Sequence, residues 1–226
     1  MATAQALTRQ EFAAALRGLA PRYWDNHPFH RRLHAGACSP GEVRAWVANR
    51  WYYQRILAQK NAAVIGNCPL AEVRRRWIER IRFNDGALDD WLLLADAVGL
   101  AREELLDERH VRRGVRFAVD AYLHFCQARP WTEAAAAALT EMFSPDLMAK
   151  RVTAWRAHYD WIKPDGYTYF ERRIPLVEQD AQYTLDLVLE HCRSADQQHA
   201  AVAALAFKCD VLGAMLDAID YGGGVQ

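Results

Sequence analysis

The sequence predicts an all-α protein: a compact bundle of about seven principal helices forming a single domain over 1–226. Apolar residues recur at spacings of three and four along most of the chain, and no stretch alternates for long with the period of two that a strand requires. Helix start and stop signals punctuate these apolar stripes, with no flexible linker, repeat or low-complexity tract between them.

Taken in order, the predicted helices are 8–20, 40–66, 70–84, 87–98, 108–127, 131–143, 145–159, 167–192 and 195–219. Thr8 caps the first, with Glu11 placed to complete a capping box. Ser39-Pro40 and Ser144-Pro145 each set a capping serine before a proline at the first helical position. Gly99 ends the helix that contains "WLLLADAV". The alanine run 134–138 is helix interior, because Leu139, Met142 and Phe143 continue its apolar face. The last helix is apolar all round, which marks a central, buried element: from Ala201 to Leu216 its only charges are Lys208 and Asp210.

Bulk composition narrows the function. Hydrophobic residues make up 52% of the chain and formal net charge is zero, so there is no global electrostatic case for nucleic acid or an anionic membrane. No run of 18 uncharged apolar residues predicts a membrane span, and the N-terminus lacks a secretory pattern. The five scattered cysteines read as reduced thiols of a cytoplasmic protein, used as small core groups.

The anomaly lies on the buried faces. In "WVANRWYYQRILAQK", Trp46, Tyr53 and Leu57 share one side of the helix at roughly 100° per residue, and Arg55 and Gln59 the other. Arg50, Gln54 and Lys60 fall on the Trp46 side. Asn84 lies within the arc marked by Val73, Trp77 and Ile81, with Arg80 at its edge. Arg151 shares a face with Leu147, Met148 and Trp155, while Tyr169 and Arg173 line up with Leu176 and Val177. One such cation can lay its stem on apolar surface and reach water. Arg50, Lys60, Arg80, Arg151, Arg173 and Lys208 together require counter-charges. The sequence offers Asp210 as the obvious one, and a ligand with several carboxylates would supply the rest. Tyr122, Tyr169 and Gln54 would add neutral hydrogen bonds. His27, His30 and His34 form a stripe that could hold a metal, but no acid completes the set, and a helix start with partly exposed histidines is the expected alternative. No metal site is expected.

The segments "WVANRWYYQ", "RRRWIERI", "GVRFAVDAYLHF", "LTEMFSP", "YDWIKPDGYTYFERR" and "FKCDVL" together resemble the pyrroloquinoline-quinone (PQQ) synthase family, from about Phe12 to Leu216. The resemblance implies a haem-oxygenase-like bundle without haem, usually a homodimer. It also implies ring closure and oxidation of a tricarboxylic quinone precursor by O2, with PQQ as product and no metal or organic cofactor. Arg50, Gln54, Lys60, Arg80, Tyr122, Arg151 and Lys208 stand at the family's substrate-binding positions, and Tyr169 and Arg173 at the pair beside the reacting ring and oxygen. The pattern departs at Asn84, where the family carries an active-site histidine, in the shortened "DGALDDW", and at Trp24, Met148 and Gly213. Two rivals stay open: a homologue that binds PQQ or its precursor without turnover, and a cofactorless oxidase of another polycarboxylate.

Overall fold

The computed structural model describes residues 5–225, and among them every regular element is helical. Residues 1–4 and 226, which belong to the expected 1–226 domain, lie outside the described residues. The α-helices are α1 (Arg9–Arg17), α2 (Pro28–His34), α3 (Pro40–Asn67), α4 (Ala71–Ala97), α5 (Arg102–Leu106), α6 (Arg113–Ala128), α7 (Trp131–Ala137), α8 (Ser144–His158), α9 (Thr168–His191) and α10 (Ala195–Tyr221). The principal segments are α3, α4, α6, α7 with the 3-10 turns Ala138–Phe143 that prolong it, α8, α9 and α10.

Thr8 and Ser39 cap α1 and α3 in full capping boxes with Glu11 and Glu42. Ser144 instead lies inside the first turn of α8 and caps nothing with its side chain. Gly99, at φ 80°, takes the left-handed conformation that ends α4. The expected break at 85–86 does not occur, and α4 runs straight through Gly86. Glycine inside a helix costs only about 1 kcal/mol, and Trp77, Arg80, Asn84, Ala87 and Trp91 keep one buried face continuous across it. The short α2 forms at the helix start expected on the stripe of His27, His30 and His34, and α5 falls outside the expected helices.

The largest packed faces join α3 to α4 and α6, and α10 to α6 and α7. Ala134–Ala138 are buried, and their small side chains let α7 lie close to α10. Trp46, Trp77, Trp91 and Trp155 are fully buried and fill the interior between α3, α4, α8 and α9. All five cysteines are buried and unpaired. Among the described residues no helix is long and apolar enough to cross a membrane. α9 contains Pro175, whose missing N–H leaves the Glu171 carbonyl without its donor in the helical ladder.

Candidate active site

Two residues of α3, Arg50 and Gln54, stand one turn apart, as do Tyr169 and Arg173 on α9. With Arg151 of α8 and Trp24 they line an interior cavity of about 50 Å³. Tyr23, Tyr53, Glu141, Ser144 and Met148 also line it, among other residues. A larger groove of about 900 Å³ runs along α9 beside Met142, Pro145 and Tyr183, and it touches none of the predicted site residues.

Arg50 is buried with no carboxylate partner among the described residues. Its guanidinium carbon lies 4.5 Å from the Trp24 ring centre and 5.0 Å from that of Tyr53, with Trp46 and Trp91 at 5.6 and 5.7 Å. Arg151 is stacked similarly, 4.6 Å from Trp46 and 5.6 Å from Phe170. Ring faces carry partial negative charge and so hold a cation without neutralising it. Burial lowers the pKa of both groups, that of Arg151 to about 9, and a guanidinium is basic enough to stay charged at neutral pH. Arg50 Nε, Arg151 Nε, Arg173 Nε and Gln54 Nε2 are buried without a hydrogen-bond partner among the described residues.

Arg80 is different. It forms an ion pair with Glu141, donates to Thr184 Oγ1 at 2.8 Å, and has Asp180 at 3.7 Å. Burial alone would lower its pKa, but the two carboxylates outweigh that and raise it. Burial likewise pushes the Glu141 pKa up, and Arg80 and Lys60 more than reverse the shift. The counter-charge expected from Asp210 is therefore a correction: Asp210 faces solvent and pairs with Arg22 at 2.7 Å. Glu141 and Asp180 are the acids that meet Arg80. Glu141 lies within the expected helix 131–143, whose apolar face runs through Leu139, Met142 and Phe143 and gives the acid no inward role.

Lys60, Arg80, Asn84, Tyr122 and Lys208 are buried behind the cavity rather than along it. Asn84 Nδ2 donates to the Arg80 carbonyl at 2.8 Å, and its Oδ1 accepts from Arg173 Nη1 at 3.3 Å. Lys208 Nζ lies 3.5 Å from the Tyr122 ring centre and 4.2 Å from that of Tyr53, with no hydrogen-bond partner among the described residues. Burial drives the Lys208 pKa far down and brings that of Lys60 to about 8. Burial also raises the pKa of Tyr122 well above the phenol value. Tyr169 meets the edge of Trp91 at 4.6 Å. Arg173 also lines a surface cleft between α4 and α9, with Phe83, Gly86 and Leu176. Leu176, expected on the buried face, is 42% exposed there.

The histidine stripe is also corrected. His30 is fully buried and His34 nearly so, stacked at 5.7 Å. Both His30 nitrogens are engaged, by the Trp24 carbonyl at 3.1 Å and by Trp46 Nε1 and Arg151 Nη2, each at 3.2 Å. Among the described residues no group of three or more His, Cys, Asp or Glu is placed to hold a metal. The arrangement can surround an anion with cations and donors, stabilise charge developing on oxygen, and exchange protons through Glu141, Lys60 or a tyrosine.

A solved Shewanella denitrificans domain of unknown function with a heme oxygenase-like fold superposes with a TM-score of 0.82 at 12% identity, covering 96% of this chain and 93% of that one. A TenA homologue from Pseudomonas syringae superposes with a TM-score of 0.77 at 15% identity, covering 94% and 92%. Fold and site thus define a haem-oxygenase-like helical protein with a cationic cavity at its centre. In sequence, the chain is 43% identical over 226 residues to a pyrroloquinoline-quinone synthase of Klebsiella pneumoniae, covering 97% of this chain and 90% of that protein. It is 45% identical over 220 residues to one of Pseudomonas aeruginosa, covering 95% and 88%. Residues 13–218 match the TENA/THI-4/PQQC family, and the chain belongs to it.

Proposed function

We propose that this chain is a pyrroloquinoline-quinone synthase, an oxidoreductase that closes a ring in a tricarboxylic quinone precursor and oxidises it with O2. The products are PQQ and hydrogen peroxide, and no metal or organic cofactor takes part. The observation that carries this reading is the pair Arg50 and Arg151, turned to one cavity with aromatic rings and no carboxylate behind them. Relatives of 43–45% identity that bear the synthase name over nearly the whole chain support it.

In this reading Arg50, Gln54, Lys60, Arg151 and Lys208 take the carboxylates and quinone oxygens, and Tyr122 adds a neutral contact. Arg80, already engaged by Glu141 and Thr184, fixes the wall. O2 accepts electrons singly, and nearby positive charge stabilises the superoxide or peroxide formed. Arg173 supplies that charge, and Tyr169 hydrogen-bonds or relays the proton. Ligand pockets usually enclose about 300–1,000 Å³, so admitting the substrate requires the wall around the 50 Å³ cavity to move. A homodimer in the cytoplasm completes the reading. Buried unpaired thiols fit a reducing compartment, and pairing rests on the family likeness and is read directly by sedimentation.

Asn84 favours a second reading, a homologue that holds the quinone without efficient turnover. Its amide cannot titrate near neutral pH, and both its polar atoms are already bonded. Anaerobic mixing with the precursor, followed by admission of O2 while the quinone spectrum is watched, separates the two. Stoichiometric PQQ and peroxide are expected of the synthase. Binding without an O2-dependent phase overturns it.

A further inference from the structure

The sequence presents His30 as one of three histidines on a short helix, and the cavity does not include it. Its surroundings dictate its chemical form. The Trp24 carbonyl can only accept a hydrogen bond, so the ring atom 3.1 Å from it, Nδ1, carries the proton. The indole N–H of Trp46 and the guanidinium of Arg151 can only donate, so Nε2, 3.2 Å from each, presents its lone pair. A second proton on Nε2 would point N–H at N–H twice over. The charged groups around the ring act in the same direction. Arg151 from α8 and Arg50 from α3 oppose protonation, and burial opposes it more strongly still; His34 from α2, whose own pKa is lowered to about 3, is neutral beside it.

We propose that His30 is a positioning residue for the cationic cavity, a neutral imidazole of fixed tautomer that orients Arg151 and, through the Trp24 carbonyl, the indole behind Arg50. The contact to His30 is the one side-chain hydrogen bond of Arg151 among the described residues. The flat face of the guanidinium rests on Trp46, which His30 also holds. With one edge of Arg151 tied and one face supported, the guanidinium is held in place beside the cavity that it lines, with its Nε still unpartnered among the described residues. On the other side, the Trp24 ring whose backbone His30 bonds lies 4.5 Å from Arg50. One imidazole thus spans the supports of both aromatic-backed arginines, which stand on different helices. An orienting ring that can neither gain charge nor exchange its tautomer keeps anion affinity independent of His30 titration.

The spectroscopic test needs no substitution and does not depend on the functional reading. Nitrogen-15 NMR of the full chain labelled at histidine should show His30 as the Nδ1–H tautomer, without titration between about pH 5.5 and 8.5. The Nε2–H tautomer, or a titration in that window, overturns the proposal. The binding test rests on the synthase reading and uses PQQ itself as the tricarboxylate probe. His30→Phe should weaken PQQ about tenfold to a hundredfold, the scale of a charge-assisted hydrogen bond. His30→Gln, which restores an acceptor, should recover most of that loss. In an Arg151→Met background, His30→Phe should cost little further affinity. Full additivity would mean that His30 acts on the fold alone and would overturn the proposal. If His30→Phe does not fold, the His30→Gln comparison and the NMR tautomer decide. If the unaltered chain does not bind PQQ, the synthase reading fails and the tautomer alone decides this one.

Discussion

Two buried arginine environments lie side by side in this bundle and are stabilised by opposite means. Around Arg80 the positive charge meets Glu141, Asp180 and the Thr184 hydroxyl, so it is neutralised within the chain. Around Arg50 and Arg151 it meets ring faces and a neutral imidazole, so it is tolerated but still uncompensated. The first arrangement holds helices together and asks nothing of a ligand. The second leaves net positive charge facing a cavity, which is how a protein keeps an affinity for anions in its interior.

The largest expected effect comes from breaking the neutralised side. Arg80→Ala strands Glu141 near Asp180 and should destabilise the fold by about 3–5 kcal/mol, read by denaturant unfolding. A change below about 1 kcal/mol would place Arg80 with the ligand-binding cations instead. Asn84→His comes next, because Asn84 joins the two regions through the Arg80 carbonyl and Arg173. A titratable group there should speed the O2-dependent phase about 10²-fold in single-turnover spectra, with affinity nearly unchanged. Equal rates would mean that Tyr169, Glu141 or Arg173 already carries the proton.

On the uncompensated side, Arg50→Ala and Lys208→Ala should each weaken PQQ by about 1.5–3 kcal/mol in a direct titration. Stability should hold or rise, because each removes a buried basic group that has no carboxylate partner. Unchanged affinity in both variants would sink the anion pocket. The smallest effect is one of pH. Lys60 titrates near 8 in the folded chain, below its ordinary value of 10.5, because it is buried beside Arg80. Between these values the unfolded chain binds more protons, so this group's contribution to stability rises with pH across the window. Its help to a carboxylate ligand fades over the same range. PQQ affinity should therefore fall by up to about tenfold from pH 8 to 9 while the fold tightens. A flat profile would exclude Lys60 from the ligand.

The inward cations were legible because helical geometry assigns a face to every residue of a long stripe. Arg50, Gln54 and Lys60 could be set beside Trp46 by angle alone, and they are buried there. Glu141 was not legible because it sits on 3-10 turns, where side chains no longer advance by the α-helical angle. Asp210 misled for a related reason. An acid on an apolar helix looks inward by composition, yet Asp210 lies on the exposed stripe of α10 with Ala203, Ala214 and Asp217, where Arg22 meets it. His30 was hidden because its partners stand on separate elements: the Trp24 carbonyl, the Trp46 indole and the Arg151 guanidinium meet it, and no local period records their meeting. The continuity of α4 escaped notice because Asp85-Gly86 reads as a stop unless the buried face on both sides is weighed against one glycine.

Pro175 gives α9 a consequence that its outline conceals. Because the Glu171 carbonyl lacks its ladder partner, residues 168–174 are tied to residues 176–191 by one main-chain bond fewer than an unbroken helix would supply. The helix is continuous in shape but divided in protection. Backbone amides on the Tyr169–Arg173 side should exchange with solvent through a local opening that costs much less than global unfolding, while those beyond Val177 exchange only with the bundle as a whole. The seam falls two residues past the arginine that walls the cavity, so displacing that wall should cost less than unfolding the bundle.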